Sequence, residues 1–435
     1  MEFSELIKTA TVESVVLSCA GLPAVKGTLC ITSHQLLHSS CPGGDAQPGT
    51  GTVELWLLIR NVDAVEKRLA GSSGTITLRC KDLKVLQLEI PGMEECLNIA
   101  SSIEALSSVD SVMMMYPFFY RPQSLKLEEG WHLFPLEQYF QQIASQVSRE
   151  GRHPVMLRSS QPLMGPNRKR CREDEMLLGT VLDEEDRGFI IDTRSAQAAK
   201  QARMTGGGTE PKSSYPQWKR LHRPLERLVT ALAQVILDPS CRTLVGFQGL
   251  LEREWIEAGH PFHLRCSRSA YSHARLKQEA PLFLLFLDCV WQLSRQFPFS
   301  LEFSERLLLT LFDNAYASVY GTFLCNNEKE RCLCKVKENT HSLWAWLNQP
   351  GERKKYLNPL YSHNALVIWP SVEPQSIQLW QGLFFRWVRS SQYLDEAWTE
   401  IQRLAEGNEP SVKESAGKRL SQSLSAPAAR TENER

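Results

Sequence analysis

The sequence predicts an α+β protein in which a β-sheet domain precedes a mainly helical domain. The first hundred residues contain short runs rich in Val, Ile, Leu and Thr, and Gly, Pro, Ser and Asp separate these runs. Such runs between turn residues are typical of β-strands. From about residue 223 onward, apolar residues recur every three or four positions, which is the spacing of amphipathic helices.

Composition and charge narrow the class of protein. A length of 435 residues usually means two or three domains. The chain is 42% hydrophobic and 23% charged, which is ordinary for a globular protein, and its Lys+Arg and Asp+Glu counts are both 49. Because there is no basic excess, we expect no nucleic-acid partner.

The N-terminus and the most apolar window give no sign of export or membrane insertion. Met1 to Glu5 lack the basic region and the apolar run of a signal peptide. The most apolar window, Ala280 to Leu293, is too short to span a bilayer and contains Asp288. We therefore expect a cytoplasmic protein, with membrane contact limited to peripheral binding at endomembranes.

Residues 1–110 are predicted to form the first domain. Five strands are expected, at Val12–Leu17, Gly27–Ser33, Val53–Ile59, Thr75–Cys80 and Leu83–Ile90. Pro91-Gly92 stops the last strand, and apolar residues then follow at helical spacing: Met93, Cys96, Leu97, Ala100, Ile103 and Leu106. We expect this helix to bury Leu97, Ala100 and Ile103. Several strands followed by one amphipathic helix is the order of a pleckstrin-homology-type β barrel.

The rest of the chain is divided by changes in composition. Residues 111–152 are predicted to be a connector, residues 153–406 the second domain, and residues 407–435 a disordered tail of mainly Ser, Ala, Glu and Lys. The second domain contains one strand signal, Gly188–Asp192. Six helices are predicted after it: Arg223–Asp238, Val245–Ala258, Glu279–Phe297, Ser304–Tyr320, Ser376–Val388 and Ser391–Glu406.

Few residues with metal-binding or phosphate-binding chemistry cluster in the sequence. Cys325, Cys332 and Cys334, with His341 beyond, lack the paired spacing of a zinc site. We therefore expect reduced cysteines and neither a metal nor a cofactor. Gly206-Gly207-Gly208 predicts a loop, because no strand directly precedes it and no Gly-Lys-Ser follows it.

Three further polar residues are weak catalytic candidates. Asp192 and Arg194 lie beside a strand end, where a structural ion pair is the expected role. His260 stands between glycine and proline, but no candidate nucleophile has an argued position near it. We therefore assign no catalytic residue from these positions.

Several longer runs resemble the myotubularin family of phosphoinositide phosphatases. In the first domain these runs are Glu54–Leu58 and Ile90–Ala100. In the second domain they include Arg158–Leu163, Tyr215–Trp218, Glu252–Trp255, Gly259–Phe262, Pro281–Gln292 and Asn358–Tyr361. The resemblance covers nearly all of residues 1–405. It implies a PH-GRAM-type barrel with a C-terminal helix, followed by a mainly helical, cysteine-phosphatase-like domain.

The family's catalytic Cys-x5-Arg loop has no counterpart where the resemblance places it. That interval corresponds to Arg223–Gly246, which contains no cysteine before Cys241 and no arginine at the required spacing after it. A second stretch is missing between about Gln141 and Arg152. The resemblance therefore implies an incomplete phosphatase domain and no catalytic residues.

One run, from Cys289 to Arg295, matches the Cys-x5-Arg spacing elsewhere in the chain. It contains no glycine, carries the bulky residues Trp291 and Leu293, and lies inside a predicted helix. The N–H groups of a helix interior are already bonded to carbonyls and cannot bind phosphate. We expect Cys289 to be a buried core thiol.

The resemblance implies a pseudophosphatase that binds or regulates an active phosphatidylinositol 3-phosphate phosphatase of the family. In the family this pairing uses a long C-terminal coiled coil. Here Gly407 ends the corresponding apolar stripe after about two heptads, whereas a stable coiled coil usually needs three or four. The stripe consists of Leu394, Ala397, Ile401 and Leu404. Two alternatives are a truncated product without a stable second domain and an active phosphoinositide phosphatase that uses Cys289.

Binding to phosphoinositide membranes is expected to be weak. The basic side chains of the first domain are offset by acidic neighbours, so no strong patch of one sign is evident. The basic residues are Lys67, Arg68, Arg79, Lys81 and Lys84, and the acidic ones are Asp63, Glu66, Asp82 and Glu89.

Overall fold

Two hydrophobic cores organise the chain, one inside an N-terminal sheet domain and one inside a helical domain. The computed structural model describes residues 3–20, 23–40, 53–135, 141, 172–180, 182, 187–192, 201, 212–222, 226–270 and 281–387. Within these residues no helix is both long and apolar enough to cross a bilayer. The predicted α+β class, with the sheet first and the helices after it, is confirmed.

The N-terminal domain is a curled antiparallel sheet of seven strands, which forms a half barrel. The strands are β1 (Thr11–Cys19), β2 (Val25–Ile31), β3 (Gln35–Ser40), β4 (Val53–Leu58), β5 (Val62–Ala70), β6 (Ser73–Cys80) and β7 (Val85–Ile90). Their spatial order is β4-β3-β2-β1-β7-β6-β5, so β4 and β5 are the edges. The helix α1 (Met93–Ser107) packs against β5 and β6.

All five predicted strands are present, and two more, β3 and β5, were not predicted. In β5 every residue from Glu66 to Ala70 is exposed, so the strand lacks the alternation that marks a half-buried strand. In β3 the buried position His38 is polar, and its ring Nε2 lies 3.1 Å from the carbonyl oxygen of Val15. Neither strand therefore carries an apolar signal of the expected kind.

The inward face of α1 differs from the predicted one. Ala100 and Ile103 are fully buried as predicted, but Leu97 is 43% exposed, so its predicted burial is wrong. Steps of three and four residues along a helix keep a side chain on the same face, and from Cys96 they lead to Ile99 and Ala100. The buried apolar stripe consists of Cys96, Ile99, Ala100, Ile103 and Leu106.

The described part of the second domain is mainly helical. Its helices are α2 (Arg172–Gly179), α3 (Glu226–Leu237), α4 (Leu244–Leu251), α5 (Phe262–Arg265), α6 (Leu282–Gln296), α7 (Glu305–Tyr316), α8 (Glu328–Leu333), α9 (Val336–Asn339), α10 (Leu343–Leu347), α11 (Pro350–Arg353) and α12 (Gln381–Phe384). A π-helical turn, Glu252–Glu257, continues α4. The predicted helices near α3, α4, α6 and α7 are confirmed, and the short helices were not predicted.

Aromatic rings fill the centre of the helical core. Phe247 in α4 stacks on Phe303, with ring centroids 4.4 Å apart. Trp255 in the π-helical turn is fully buried and lies edge-on to Phe283 in α6, with ring centroids 5.0 Å apart. These contacts join elements that are far apart in the sequence, so the helical core is continuous from α3 to α12.

The predicted helix Ser376–Val388 is wrong over most of its length. Only a 3-10 turn, Pro374–Ser376, and α12 are helical there. The Gln292 side chain in α6 instead forms two hydrogen bonds with the backbone of Gln378. Its Nε2 donates to the Gln378 carbonyl at 2.7 Å, and its Oε1 accepts from the Gln378 N–H at 3.2 Å. The segment therefore packs along α6 as a coil. The last predicted helix, Ser391–Glu406, lies outside the described residues.

Two strands of the second domain form a separate parallel pair. Strand β8 (Gly188–Asp192), predicted from the sequence, pairs in parallel with β9 (Trp218–His222). Among the described residues no third strand joins this sheet. Phe189 in β8 is 61% exposed, although parallel sheets are normally covered on both faces. This pair therefore resembles a fragment of a larger sheet.

The residues predicted to be a connector pack on the helical domain. Leu125 belongs to the helical core, and the indole Nε1 of Trp131 donates to the Thr340 carbonyl at 3.2 Å. The Gln349 Nε2 in turn donates to the Ser124 carbonyl at 3.0 Å. Residues 124–131 are thus fixed against α9, α10 and α11.

The turn between β6 and β7 joins the two domains. The Asp82 carbonyl accepts hydrogen bonds from Arg386 Nη2 at 3.0 Å and from Trp387 Nε1 at 2.8 Å. Leu83 packs against the helical core, and the ammonium group of Lys84 lies 4.0 Å from the centre of the Trp387 ring. Lys81 is 1% exposed, and its Nζ has no hydrogen-bond partner among the residues that the structure describes.

We predict that Ala100→Asp unfolds the sheet domain, whereas Leu97→Asp in the same helix is tolerated. A carboxylate at position 100 would be buried without a partner, which costs several kcal/mol. At position 97 it would remain largely in water. Urea unfolding of the full chain followed by circular dichroism would measure both variants. Equal losses of stability in the two variants would contradict the observed face of α1.

We predict that Lys81→Met stabilises the protein. Burial, with Arg60 nearby, lowers the pKa of Lys81 to about 7 from 10.5. The unfolded chain therefore binds more protons than the folded chain between these pH values, and folding stability rises with pH across this window. The variant should gain up to about 4 kcal/mol at pH 7, because each pKa unit corresponds to about 1.4 kcal/mol.

The pH dependence separates this effect from a general change in packing. Urea unfolding at pH 7 and pH 9 should show a smaller gain of stability with pH in Lys81→Met than in the unmodified chain. Lys84→Met is the matched control in the same turn and should keep the unmodified slope. A less stable Lys81→Met variant with an unchanged slope would refute the prediction.

Candidate functional site

The connection between β9 and α3 is the region in which a phosphatase loop is expected. Strand β9 ends at His222 and α3 begins at Glu226, so three residues separate them. A cysteine phosphatase needs a thiolate, a wrapped backbone that offers N–H groups to the phosphate, and an arginine six residues after the cysteine. Three residues are too few to supply this set.

Cys241, the first cysteine after this connection, lies in a buried 3-10 turn, Pro239–Arg242. Its Sγ is 3.6 Å from Asp238 Oδ2, and burial together with Asp238 raises the pKa of the thiol to about 12. The neighbouring Arg242 points elsewhere, because its Nη1 and Nη2 donate to the carbonyls of Asn364 and Leu366 at 3.0 and 2.8 Å. This cysteine and arginine therefore hold a coil in place and do not form a phosphate cradle.

Cys289 lies in the middle of α6, as the helical pattern predicted. The thiol is only partly buried and is not a member of the helical core, so the expectation of a buried core thiol is wrong. Burial and the adjacent Asp288 both raise its pKa. A phosphatase nucleophile requires the opposite shift, toward the thiolate. Arg295 is exposed in the last turn of the helix, where its guanidinium lies 5.3 Å from the Trp291 ring centre.

The other polar candidates occupy structural positions. Asp192 forms an ion pair with Arg220 on the neighbouring strand, with Oδ2 and Nη2 3.4 Å apart. Arg194, the partner expected from the sequence, lies outside the described residues, as do Gly206-Gly207-Gly208. His260 is 4% exposed and lies edge-on to Trp255 and Phe262, with ring centroids 4.9 and 4.7 Å apart.

Two carboxylates that the sequence did not single out lie in the π-helical turn. Burial raises the pKa of Glu252, whose Oε2 accepts a hydrogen bond from Trp344 Nε1 at 2.7 Å. Burial and Glu252 together raise the pKa of Glu257 to about 7. No sequence signal marks these residues, because their burial depends on α8 and α10, which come later in the chain. A raised carboxyl pKa suits a general acid, but the contact of Glu252 with Trp344 fixes helices together.

The cysteine cluster near position 330 does not form a metal site in the part of the chain that the structure describes. No group of three or more His, Cys, Asp or Glu side chains there is arranged to hold a metal ion. Cys325 and Cys334 pack beside Trp131 and Val336, whereas Cys332 is exposed. His341 lies apart from them, edge-on to Tyr120 with ring centroids 6.2 Å apart.

A cleft of about 550 Å³ opens at the junction of the two domains. The charges in its wall are compensated: Arg60 Nη1 donates to the carbonyls of Ser107 and Val109, both at 3.2 Å. Asp63 Oδ1 accepts the backbone N–H of Ser269 at 3.1 Å, and the Asp63 carbonyl accepts Arg268 Nη1 at 3.0 Å. The two bonds of Asp63 hold the sheet domain to the helical domain.

Two family models match the chain. The GRAM domain described as MTMR6-9 matches residues 12–107. The myotubularin-like phosphatase domain matches residues 148–229 and, as a second stretch, residues 226–332. The two stretches meet at the start of α3, which is where the short connection from β9 arrives.

The chain is similar over most of its length to curated myotubularin-related proteins. It is 47% identical to myotubularin-related protein 9-like from Bos taurus, with 94% of this chain and 98% of the relative covered. It is 44% identical to human myotubularin-related protein 9, with 94% and 95% covered. The identity with the mouse phosphatidylinositol-3,5-bisphosphate 3-phosphatase MTMR2 is 26%, with 86% and 77% covered.

The length of these alignments shows that this chain lacks segments that its relatives have, which is relevant to the missing phosphatase loop. The alignment with the bovine relative spans 541 positions, more than the 435 residues of the whole chain. Part of the relative's length therefore has no counterpart here. The GRAM match, the divided phosphatase match and the similarity along nearly the whole chain establish the assignment: this chain belongs to the myotubularin family.

Proposed function

We propose that this chain is a catalytically inactive myotubularin that acts by binding an active phosphatidylinositol 3-phosphate phosphatase of its family. The observation that carries the proposal is the three-residue connection between β9 and α3. It coincides with the point where the two stretches of the phosphatase match meet. Without a thiolate there is no nucleophile, and without a cradle and an arginine nothing stabilises the transferring phosphoryl group.

The two cysteines that could replace the missing catalytic one are unsuited to that role, which supports this proposal. Cys241 and Cys289 both have pKa values above the ordinary thiol value, so both remain protonated near neutral pH. Cys289 lies within α6, where the backbone N–H groups are bonded within the helix. Neither position offers an unbonded helix N-terminus to a phosphate.

A role in binding fits the parts that are intact. The helical core is continuous and is joined to the sheet domain through Asp82, Arg386 and Trp387. A folded body of this kind can present a surface to a partner without chemistry of its own. The apolar stripe proposed to contact the partner, residues 394–404, lies outside the described residues.

We also propose that contact with phosphoinositide membranes is weak and peripheral. Several basic side chains of the sheet domain already have partners. Lys67 Nζ lies 3.0 Å from Glu104, and Arg79 Nε lies 2.7 Å from Glu66. Lys81 is buried at the domain junction. Few cations thus remain to attract a multiply charged headgroup, and what attraction there is should weaken with salt.

We predict that the purified chain releases no phosphate from phosphatidylinositol 3-phosphate. The unmodified chain and Cys289→Ser should both give background rates in a phosphate-release assay, with an active myotubularin as the positive control. Release above background by the unmodified chain, lost in Cys289→Ser, would establish the alternative of an active phosphatase and end the proposal.

We further predict a complex with an active myotubularin. The mixture should co-migrate in size-exclusion chromatography and show a changed turnover rate. Ile401→Lys combined with Leu404→Lys should abolish both effects, because the stripe would no longer be apolar. Thr399→Lys combined with Gln402→Lys adds the same charge away from the stripe and should leave both intact. Failure of the unmodified chain to co-migrate with any active member would exclude the regulatory role.

A further inference from the structure

Cys325 and Cys334 are brought together by the segment around α8. The Asn326 backbone N–H donates to Glu330 Oε2 at 2.9 Å, and Arg331 Nη1 donates to the Leu324 carbonyl at 3.2 Å. The residues on both sides of Cys325 are therefore bonded to α8. The Cys334 N–H donates to the Glu330 carbonyl at 2.9 Å, so this second cysteine is held at the end of the same helix.

The two thiols lie in one small apolar cluster, separate from the main helical core. Cys325, Trp131 and Val336 are its buried members, and Cys334 packs against them. Burial and the neighbouring Cys334 thiol together raise the pKa of Cys325 to about 12. Cys325 itself has a left-handed backbone, with φ of 69°.

We propose that Cys325 and Cys334 form an intramolecular disulfide when the protein meets a hydroperoxide. Cys325 is 2% exposed, so an oxidant cannot reach it from solvent. Cys334 is partly exposed and meets the oxidant first. The pair thus divides into an accessible thiol that is oxidised and a buried thiol that resolves the product, which is the arrangement of a redox-sensitive cysteine pair.

The chemistry balances with a hydroperoxide as the two-electron oxidant. The Cys334 sulfur attacks the peroxide, the O–O bond breaks, and the products are a cysteine sulfenic acid and one molecule of water, or of alcohol from an alkyl peroxide. The Cys325 sulfur then attacks the Cys334 sulfur, the S–O bond breaks, and the Cys325 proton leaves with the hydroxyl group as water. Both thiols are oxidised and one peroxide is consumed.

The other described cysteines differ from this pair. Cys241 and Cys266 are each buried within the main helical core. Cys332 is exposed but lies outside the apolar cluster that contains Cys325. Among the described cysteines, those at positions 325 and 334 are the two that belong to the small cluster around Trp131 and Val336, so we expect the bridge there.

Peptide mapping would test the bridge directly. The folded full-length chain is treated with hydrogen peroxide, its remaining thiols are alkylated, and trypsin is applied without a reductant. Trypsin places Cys325 in the peptide 307–329 and Cys334 in the peptide 332–335, together with Cys332. We expect these two peptides to be joined, and dithiothreitol to separate them.

Single substitutions assign the bridge to one cysteine of the shorter peptide. Cys334→Ser should reduce the joined pair to background, whereas Cys332→Ser, two residues away, should leave it unchanged. Thermal unfolding checks that each variant is folded, and a Ser variant that is not is replaced by the Ala variant at the same position, Cys334→Ala or Cys332→Ala. A bridge that persists in Cys334→Ser, a bridge inside the peptide 332–335, or oxidation of Cys332 alone would each overturn the proposal.

Discussion

The carbonyl group of Asp82 accepts two hydrogen bonds from the helical domain, and the placement of the two domains depends on this contact. Its donors, Arg386 and Trp387, are adjacent residues that follow α12. Arg386 also donates through both Nη atoms to the Asp313 carboxylate in α7. One guanidinium therefore links the β6–β7 turn, α7 and the end of the described chain.

The conformation of the turn follows from this contact. Leu83 has a left-handed backbone, with φ of 74°, which is unfavourable for a residue with a branched side chain. The cost is offset because Leu83 packs against the helical core. The Lys81 amine is buried at the junction, and this burial together with the nearby Arg60 lowers its pKa. A close fit between the domains is thus obtained at the expense of one buried cation.

The sequence carried enough information for the regular elements but not for the long-range contacts. Apolar alternation located β6 and β7, and helical spacing located α1, α3, α6 and α7. The exposed edge strand β5 has no such alternation, and the coil at residues 376–380 was mistaken for a helix because α6 side chains take its backbone hydrogen bonds. The junction residues Lys81 and Asp82 are polar turn residues in the sequence, and only the distant Arg386 and Trp387 give them their role.

The candidate site could also be predicted from the sequence only in part. The short interval before α3 was visible in the sequence because a required residue pattern was missing there. The placement of Cys289 inside α6 also followed from periodicity. The raised pKa values of Glu252 and Glu257 could not be foreseen, because they arise from burial by later helices. Local patterns thus predict elements, whereas burial and charge depend on which elements meet.

Among the described residues, the second domain has a continuous helical core and a sheet of two strands. The rings of Phe247, Trp255 and Phe303 lie in the centre of this helical core. The β8–β9 pair has an exposed Phe189 and no third strand among the described residues. A pair of strands without a covered face is marginal in water. The helical core, docked on the sheet domain, must therefore be stable without further strands of the phosphatase sheet.

Limited proteolysis tests this claim most directly, because protection from a protease follows local stability. Mass spectrometry of the protected fragments should recover residues 226–387 together with the sheet domain, held in one complex after cleavage around β8 and β9. Arg386→Ala should weaken the association of the two parts and leave each protected, because residues 124–131 and Asp63 also bind the helical domain. Protection of only about the first 110 residues would mean that the helical domain has no stable core of its own, and would identify the chain as a truncated product with a single folded domain.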